Sequence, residues 1–74
     1  MQEINPLYIQ ALALLLEEGN PSISTIQRKC SIGYSRAQKI VQWMEDNGYA
    51  TSSNGARDIQ LLITQERFQE LYGD

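Results

Sequence analysis

The side chains with chemistry to offer gather in the middle of this 74-residue chain: Arg28, Lys29, Ser35, Arg36, Gln38 and Lys39, with Arg57 further on. Guanidinium and ammonium groups hold phosphate. Arginine can also fork onto guanine O6/N7, and glutamine onto adenine N6/N7. The nine acids (Glu3, Glu17, Glu18, Glu45, Asp46, Asp58, Glu66, Glu70 and Asp74) leave the stretch between Glu18 and Glu45 empty, and four of the six bases fall inside it. That stretch is therefore locally +4 within a chain of net charge −3. A polyanion responds to the local field within a Debye length, about 8–10 Å in physiological salt. The same run also reads as a solvated face, and charge alone does not separate the two.

Other chemistries are excluded by what is missing. The chain has no histidine and a single cysteine, Cys30. That removes disulfide frameworks, Cys/His zinc sites, Ser-His-Asp triads and most acid–base chemistry near neutral pH. The composition, 42% hydrophobic and 20% charged, is that of a globular chain. The longest apolar run, Ala11 to Leu16, is far short of the ~20 residues of a membrane span. Met1-Gln2-Glu3 lacks the basic start of a signal peptide. These features predict one domain over residues 1–74, cytoplasmic and non-catalytic, with no cofactor, metal or membrane partner.

The elements that must position the basic residues are well punctuated. Asn5-Pro6 is an N-cap with proline at the first helical position, opening a helix to Glu18 that Gly19-Asn20-Pro21 stops. Ser22-Ile23 reads as a short extended pairing stub. Ser24 and Gln27 form a capping box for a helix over Thr25–Cys30 that buries Ile26 and Cys30. Ser31-Ile32-Gly33 makes the corner, with Gly33 supplying backbone freedom and Tyr34 packing in the bend. Ser35 and Gln38 form a second capping box. The helix that follows, to Asn47, has Ala37, Ile40, Val41, Trp43 and Met44 as its apolar positions and is closed by Asn47-Gly48. Beyond Gly48 the period drops to two: Tyr49–Thr51 and Ile59–Ile63 flank a loop with Asn54-Gly55 as the hairpin turn. Thr64 caps a last helix lined by Phe68, Leu71 and Tyr72. The expected fold is mainly α with a small β-hairpin: a winged helix-turn-helix with a three-helix core, a wing and a C-terminal helix.

In a helix-turn-helix the second helix enters the DNA major groove and its N-terminal residues reach the base edges. The recognition helix is expected over 35–47 and the wing over 52–58. Arg36, Gln38, Lys39 and Gln42 are then candidate readers, and Ser35 a phosphate holder at the helix start. Arg28, Lys29 and Arg57 are candidate backbone contacts. Each has a plainer reading: Ser35 and Gln38 as cap and capping partner, Lys39 as a solvated lysine, Arg57 paired with Asp58. Cys30 reads as a small core residue.

The run Gln27-Arg28-Lys29-x-x-Ile32-Gly33-Tyr34-Ser35-Arg36-Ala37-x-Lys39-Ile40, followed by Met44-Glu45, Gly48 and Arg57-Asp58-Ile59, resembles the gamma domain of the FtsK/SpoIIIE chromosome translocases. Asn5-Pro6-Leu7-Tyr8 and Leu16-Glu17-Glu18-Gly19 extend the resemblance over roughly residues 5 to 63. It implies a winged helix that binds double-stranded DNA at short, oriented G-rich sequences, orients the motor and contacts the XerD recombinase. Departures fall among the readers: Ser35 replaces Asn, Gln38 replaces Ala, and Lys39 replaces an Arg and so loses its bidentate fork. With no motor and no phosphate-binding loop, the chain is expected to be a free-standing relative, bacterial or borne by a phage or mobile element. About four phosphate contacts hold a monomer weakly, so a dimer or several copies side by side are expected on DNA. The competing expectation is a protein-interaction winged helix that regulates or inhibits a recombinase, translocase or other nucleic-acid machine. The low pI of about 4.7, Glu45-Asp46 and the acidic last helix favour it.

Overall fold

A computed structural model describes residues 5–18, 21–53 and 57–73. The order is α1 (Pro6–Glu17), α2 (Ile23–Cys30), α3 (Tyr34–Asp46), β1 (Ala50–Ser53), β2 (Asp58–Leu61) and α4 (Gln65–Tyr72). This is the mainly α architecture with one antiparallel hairpin that the sequence predicts. The stop at Gly19-Asn20 and the Asn54-Gly55 turn lie outside the described residues.

One core joins the elements. Ala11, Leu12 and Leu15 of α1 meet Ile23 and Ile26 of α2, and Ala37, Ile40, Val41 and Met44 of α3. Ala50, Ile59 and Ile63 close it from the hairpin side. The α3 residues recur at i, i+3, i+4 and i+7, the spacing that puts them on one side of a helix. In the hairpin, Ala50 faces Leu61 and Ser52 faces Ile59, and this inward set alternates with the exposed Thr51, Ser53, Asp58 and Gln60. The period of two thus seats one side of the wing on the helices. Beyond β2, the Leu62 and Ile63 N–H groups both donate to the Tyr49 carbonyl, at 2.7 and 3.2 Å.

The helix starts differ from expectation in an instructive way. The cap of α2 is Ser22, two residues before the expected Ser24; its hydroxyl accepts from the Thr25 N–H, and Ile23 is buried within the helix. Burying Ile23 outweighs the weaker preference for an extended stub. The extended pairing survives one residue earlier, where the Pro21 carbonyl accepts from the Ile59 N–H at 3.2 Å. At the corner, Ser31 and not Gly33 takes the left-handed conformation (φ 56°, ψ 48°). Gly33 has φ −76° and ψ 171°, ordinary extended backbone, and is the N-cap of α3 without a side chain to cap it. Ser35 is therefore one turn-position inside the helix, and no capping box with Gln38 forms. Tyr34, the first residue of α3, is 47% exposed and does not pack in the corner. Cys30 is half-buried against the core with a free thiol.

The end of α3 is as expected. Gly48 (φ +74°) donates to the Glu45 carbonyl and Tyr49 donates to the Met44 carbonyl, the paired bonds of a left-handed helix terminus. Thr64 caps α4 by accepting from the Arg67 N–H at 3.1 Å. Phe68 and Tyr72 pack on the core, whereas Leu71 is 41% exposed. What docks α4 is a ladder of rings: Tyr8 on Trp43 at 5.6 Å, Trp43 on Tyr49 at 5.5 Å and Tyr49 on Tyr72 at 6.4 Å. The Tyr49 and Tyr72 hydroxyls share a 2.7 Å hydrogen bond. Partial burial first, then that hydrogen bond and the neighbouring charge of Tyr49, push the Tyr72 phenol from 10.0 up to about 12.

Three outcomes follow from these contacts. A Cβ on Gly33 meets nothing within 4 Å and its backbone suits any residue. Gly33→Ser adds a capping oxygen and should stabilise the fold by about 0.5–1 kcal/mol in urea titrations. Gly48→Ala puts a Cβ at positive φ and should cost about 1–2 kcal/mol. The raised Tyr72 pKa gives a stability contribution fully present below pH 10, the unfolded value, and lost as pH rises through the folded value of about 12. Urea unfolding followed across that window should show the decline in the native protein and a shallower one in Tyr72→Phe.

Candidate nucleic-acid interface

With Ala37, Ile40, Val41 and Met44 turned inward, α3 must present Ser35, Arg36, Gln38, Lys39 and Gln42 to solvent, and all five are exposed. They divide between two neighbouring concavities. Ser35, Gln38, Lys39 and Gln42 line a shallow depression of about 380 Å³ on the outward side of the helix. Arg36 and Lys39 line a cleft of about 170 Å³ against Asn5, Leu7 and Tyr8 at the start of α1. Lys39 is the ridge between them. Neither Arg36 nor Lys39 has an ion-pair partner among the described residues. Gln42 donates from Nε2 to Asp46 Oδ1 at 2.9 Å, one helical turn on.

The charges on α3 run against the helix. Its first turn holds no acid and its last turn no base. Arg36 and Lys39 lie near the N-terminus, and Glu45 and Asp46 at the C-terminus. A helix alone favours the reverse by ~0.3–1 kcal/mol per charge, because its peptide dipoles leave the N-terminus positive. Helix stability therefore does not account for the cations on α3. The bases of α2 contrast with this. Arg28 and Lys29 fall in its last turn, where they complement the dipole, and Lys29 Nζ lies 4.0 Å from Glu18 Oε1. A structural role is sufficient for both.

Arg28, Lys29 and Arg57 enter neither concavity. The first two project from the end of α2 and are exposed. Arg57 is exposed at the residue before β2, in the wing. The sixth base, Arg67, pairs with Glu70 at 3.0 Å on α4. Sequence reasoning missed Asn5 and Tyr8 as neighbours of Arg36, because about 30 residues separate them and only the packing of α1 on α3 joins them. It also missed a groove of about 400 Å³ at the far end of α3, lined by Tyr49, Leu62, Ile63, Arg67 and Leu71 beside Asn47-Gly48. Leu62 there is 54% exposed. Among the described residues no three acidic or thiol side chains converge to hold a metal ion, and no helix is long and apolar enough to cross a membrane.

Comparison with known proteins covers nearly the whole chain. Residues 2–64 match the family model described as the Ftsk gamma domain. The DNA translocase FtsK of Caldanaerobacter subterraneus subsp. tengcongensis is 36% identical over 70 residues, which is 95% of this chain and 10% of the translocase. The FtsK of Chlamydia trachomatis is 39% identical over 62 residues, 84% of this chain and 8% of that protein. The DNA translocase SpoIIIE of Bacillus subtilis is 32% identical over 65 residues, 88% of this chain and 8% of its own length. The chain thus spans about a tenth of the length of the relatives it matches. With α1 to α3, the two hairpin strands and the Gly33-Tyr34 corner all inside the matched stretch, the chain belongs to the Ftsk gamma domain family.

Proposed function

We propose that this domain binds double-stranded DNA without catalysing a reaction, with α3 in the major groove. The observation that carries the reading is the outward side of α3: polar and basic, unpaired in its cations, and charged against its own helix dipole. Its relatives are DNA translocases by name, which agrees with a DNA ligand. Ser35, Lys39 and Gln42, at i, i+4 and i+7, make the centre of that side and face the base edges, with Gln38 beside them. The bond to Asp46 occupies one Gln42 N–H and leaves its carbonyl oxygen to accept from a base amine. Arg28, Lys29 and Arg57 contact the phosphate backbone from α2 and the wing, positioning the domain without reading sequence.

A second reading has its own observation. The groove with exposed Leu62 and Leu71 lies at the opposite end of α3 from Ser35, some 18 Å away for a helix of this length. Apolar side chains exposed around a concavity suit a protein partner, such as a recombinase or a translocase motor. The two surfaces are compatible with one another on a single small domain.

Fluorescence anisotropy on labelled duplexes tests the first reading. The best duplex from a randomised pool should bind more tightly than its scramble. The logarithm of affinity should fall with the logarithm of salt at a slope of about −3 to −4, the value for about four neutralised phosphates. Gln42→Ala should cost about 1–3 kcal/mol on the preferred duplex and little on the scramble, whereas Lys29→Ala should weaken both alike. Absence of binding to either duplex at low salt would sink the reading.

A further inference from the structure

The cleft between α1 and α3 sets Arg36, with Lys39 at its edge, apart from Ser35, Gln38 and Gln42, and its position suggests a distinct task. Arg36 and Trp43 are seven residues apart, two helical turns, so they project from the same flank of α3. Trp43 marks where that flank points: its ring packs on Tyr8 of α1 at 5.6 Å. Arg36 lies over the start of α1 on the same side and, with Lys39, Tyr8, Leu7 and Asn5, encloses the cleft. A helix with its side chains is about 10–12 Å across, and the major groove is about 12 Å wide. A helix seated there turns its outermost residues to the base edges, while its flanks meet the groove walls, which are phosphate. Arg36 is a flank residue.

The cleft also has the right chemistry and size. Its two cations are without ion-pair partners among the described residues, and the Tyr8 hydroxyl is without a hydrogen-bond partner among them. The first turn of α1 supplies no free backbone donor. Pro6 has no N–H, Leu7 N–H donates to Asn5 Oδ1 at 2.9 Å, and Tyr8 N–H donates to the Asn5 carbonyl at 2.9 Å. Over that turn, side chains are what remains to hold an anion. The space, about 170 Å³, is an order of magnitude more than one water requires, and it opens to solvent beside the depression that faces the bases.

We infer that Arg36, Lys39 and Tyr8 form a seat for one backbone phosphate at the wall of the major groove, making Arg36 a register-setting phosphate ligand and not a base reader. The inference rests on the DNA-binding reading above and deepens it. α1, the helix outside the helix-turn-helix pair, then takes part in docking through Tyr8. Lys39 serves both concavities, so the phosphate fixes the position of a side chain that also faces the bases. Arg36 carries no weight in the core, and its replacement leaves the Tyr8–Trp43 contact in place.

The test uses the whole domain on its preferred duplex and on the scramble, across a salt series, with circular dichroism to verify folding of each variant. Arg36→Ala should weaken binding by about tenfold at low salt, equally on both duplexes, and reduce the salt slope by about one. Arg36→Lys should restore the slope. Tyr8→Phe, which keeps the ring on Trp43, should lose about threefold on both duplexes with the slope unchanged. A loss for Arg36→Ala confined to the preferred duplex would make it a base reader and overturn the assignment, as would unchanged binding to both. Inorganic phosphate, titrated at constant ionic strength and followed by the Arg36 Nε–H resonance, separates the sources. Saturation at low millimolar concentration combined with unchanged DNA binding by Arg36→Ala would assign the cleft to a free anion and overturn it too. If the unmodified domain binds neither duplex, the DNA reading itself has failed. If it binds and Arg36→Ala binds equally well, only the phosphate seat has failed.

Discussion

The burial of Ala37, Ile40, Val41 and Met44 against Leu12, Leu15 and Ile26 is the constraint on which the arrangement of the rest depends. These four residues set the rotation of α3 about its own axis. Once they are inside, at 0–2% exposure, Ser35, Lys39 and Gln42 can only point away from the core and Arg36 can only lie on a flank. A rotation of α3 by one residue, about 100°, would bury cations and expose methionine, so the outward side is as firmly held as the core is. In a chain this short, close to the size at which a single core becomes marginal, such coupling between core and surface is economical.

The second organising contact is aromatic. Tyr8, Trp43, Tyr49 and Tyr72 come from α1, α3, the link to the wing, and α4, and each ring touches the next. Edge and tilted contacts of this kind contribute roughly 0.5–1.5 kcal/mol each beyond area burial. Through them the hairpin and α4 are fastened to the same helix that presents the candidate interface. One end of the ladder, Tyr8, borders the cleft with Arg36. The third ring, Tyr49, borders the groove with Leu62 and Leu71. One run of rings therefore reaches both candidate surfaces, through Tyr8 at one and Tyr49 at the other. The net charge is divided along α3 in the same way, bases at its start and Glu45-Asp46 at its end. That is how an acidic chain can keep a local surface suited to a polyanion.

Much of this was legible in the residues. Asn5-Pro6, the 3.6-residue period of Ala37 to Met44, the Asn47-Gly48 stop, the change to period two and the Thr64 cap are local signals, and each was found where it was expected. The misreadings share one cause. At Ser22 and Ser24, and again at Gly33 and Ser35, two residues two positions apart could each cap a helix, and local chemistry hardly distinguishes them. Tertiary packing chose, by burying Ile23 inside α2 and by running α3 from Tyr34. The left-handed residue went to Ser31 for the same reason: the chain must turn directly after Cys30, two residues before the glycine that could have turned more cheaply. Tyr34 and Leu71 are of residue types that usually pack, but among the described residues no element covers either of them.

The sequence by itself determined the kinds and order of elements, the inward stripe of α3, the concentration of bases between Glu18 and Glu45, and the family. All of these depend on neighbours within a few residues or on composition along the chain, and such patterns survive without coordinates. The tertiary structure alone decided where each exposed cation sits. Arg36 and Lys39 are three residues apart and chemically alike, yet the packing of Tyr8 on Trp43 brings α1 beside one flank of α3, so that Arg36 lines only the cleft while Lys39 borders both concavities. Likewise Leu62 and Leu71, innocuous in sequence, share one groove because the Tyr49–Tyr72 contact holds α4 beside the link between α3 and the wing. Long-range contacts of that kind arise from complementary shapes on elements distant in sequence, and no local spacing of residue types encodes them.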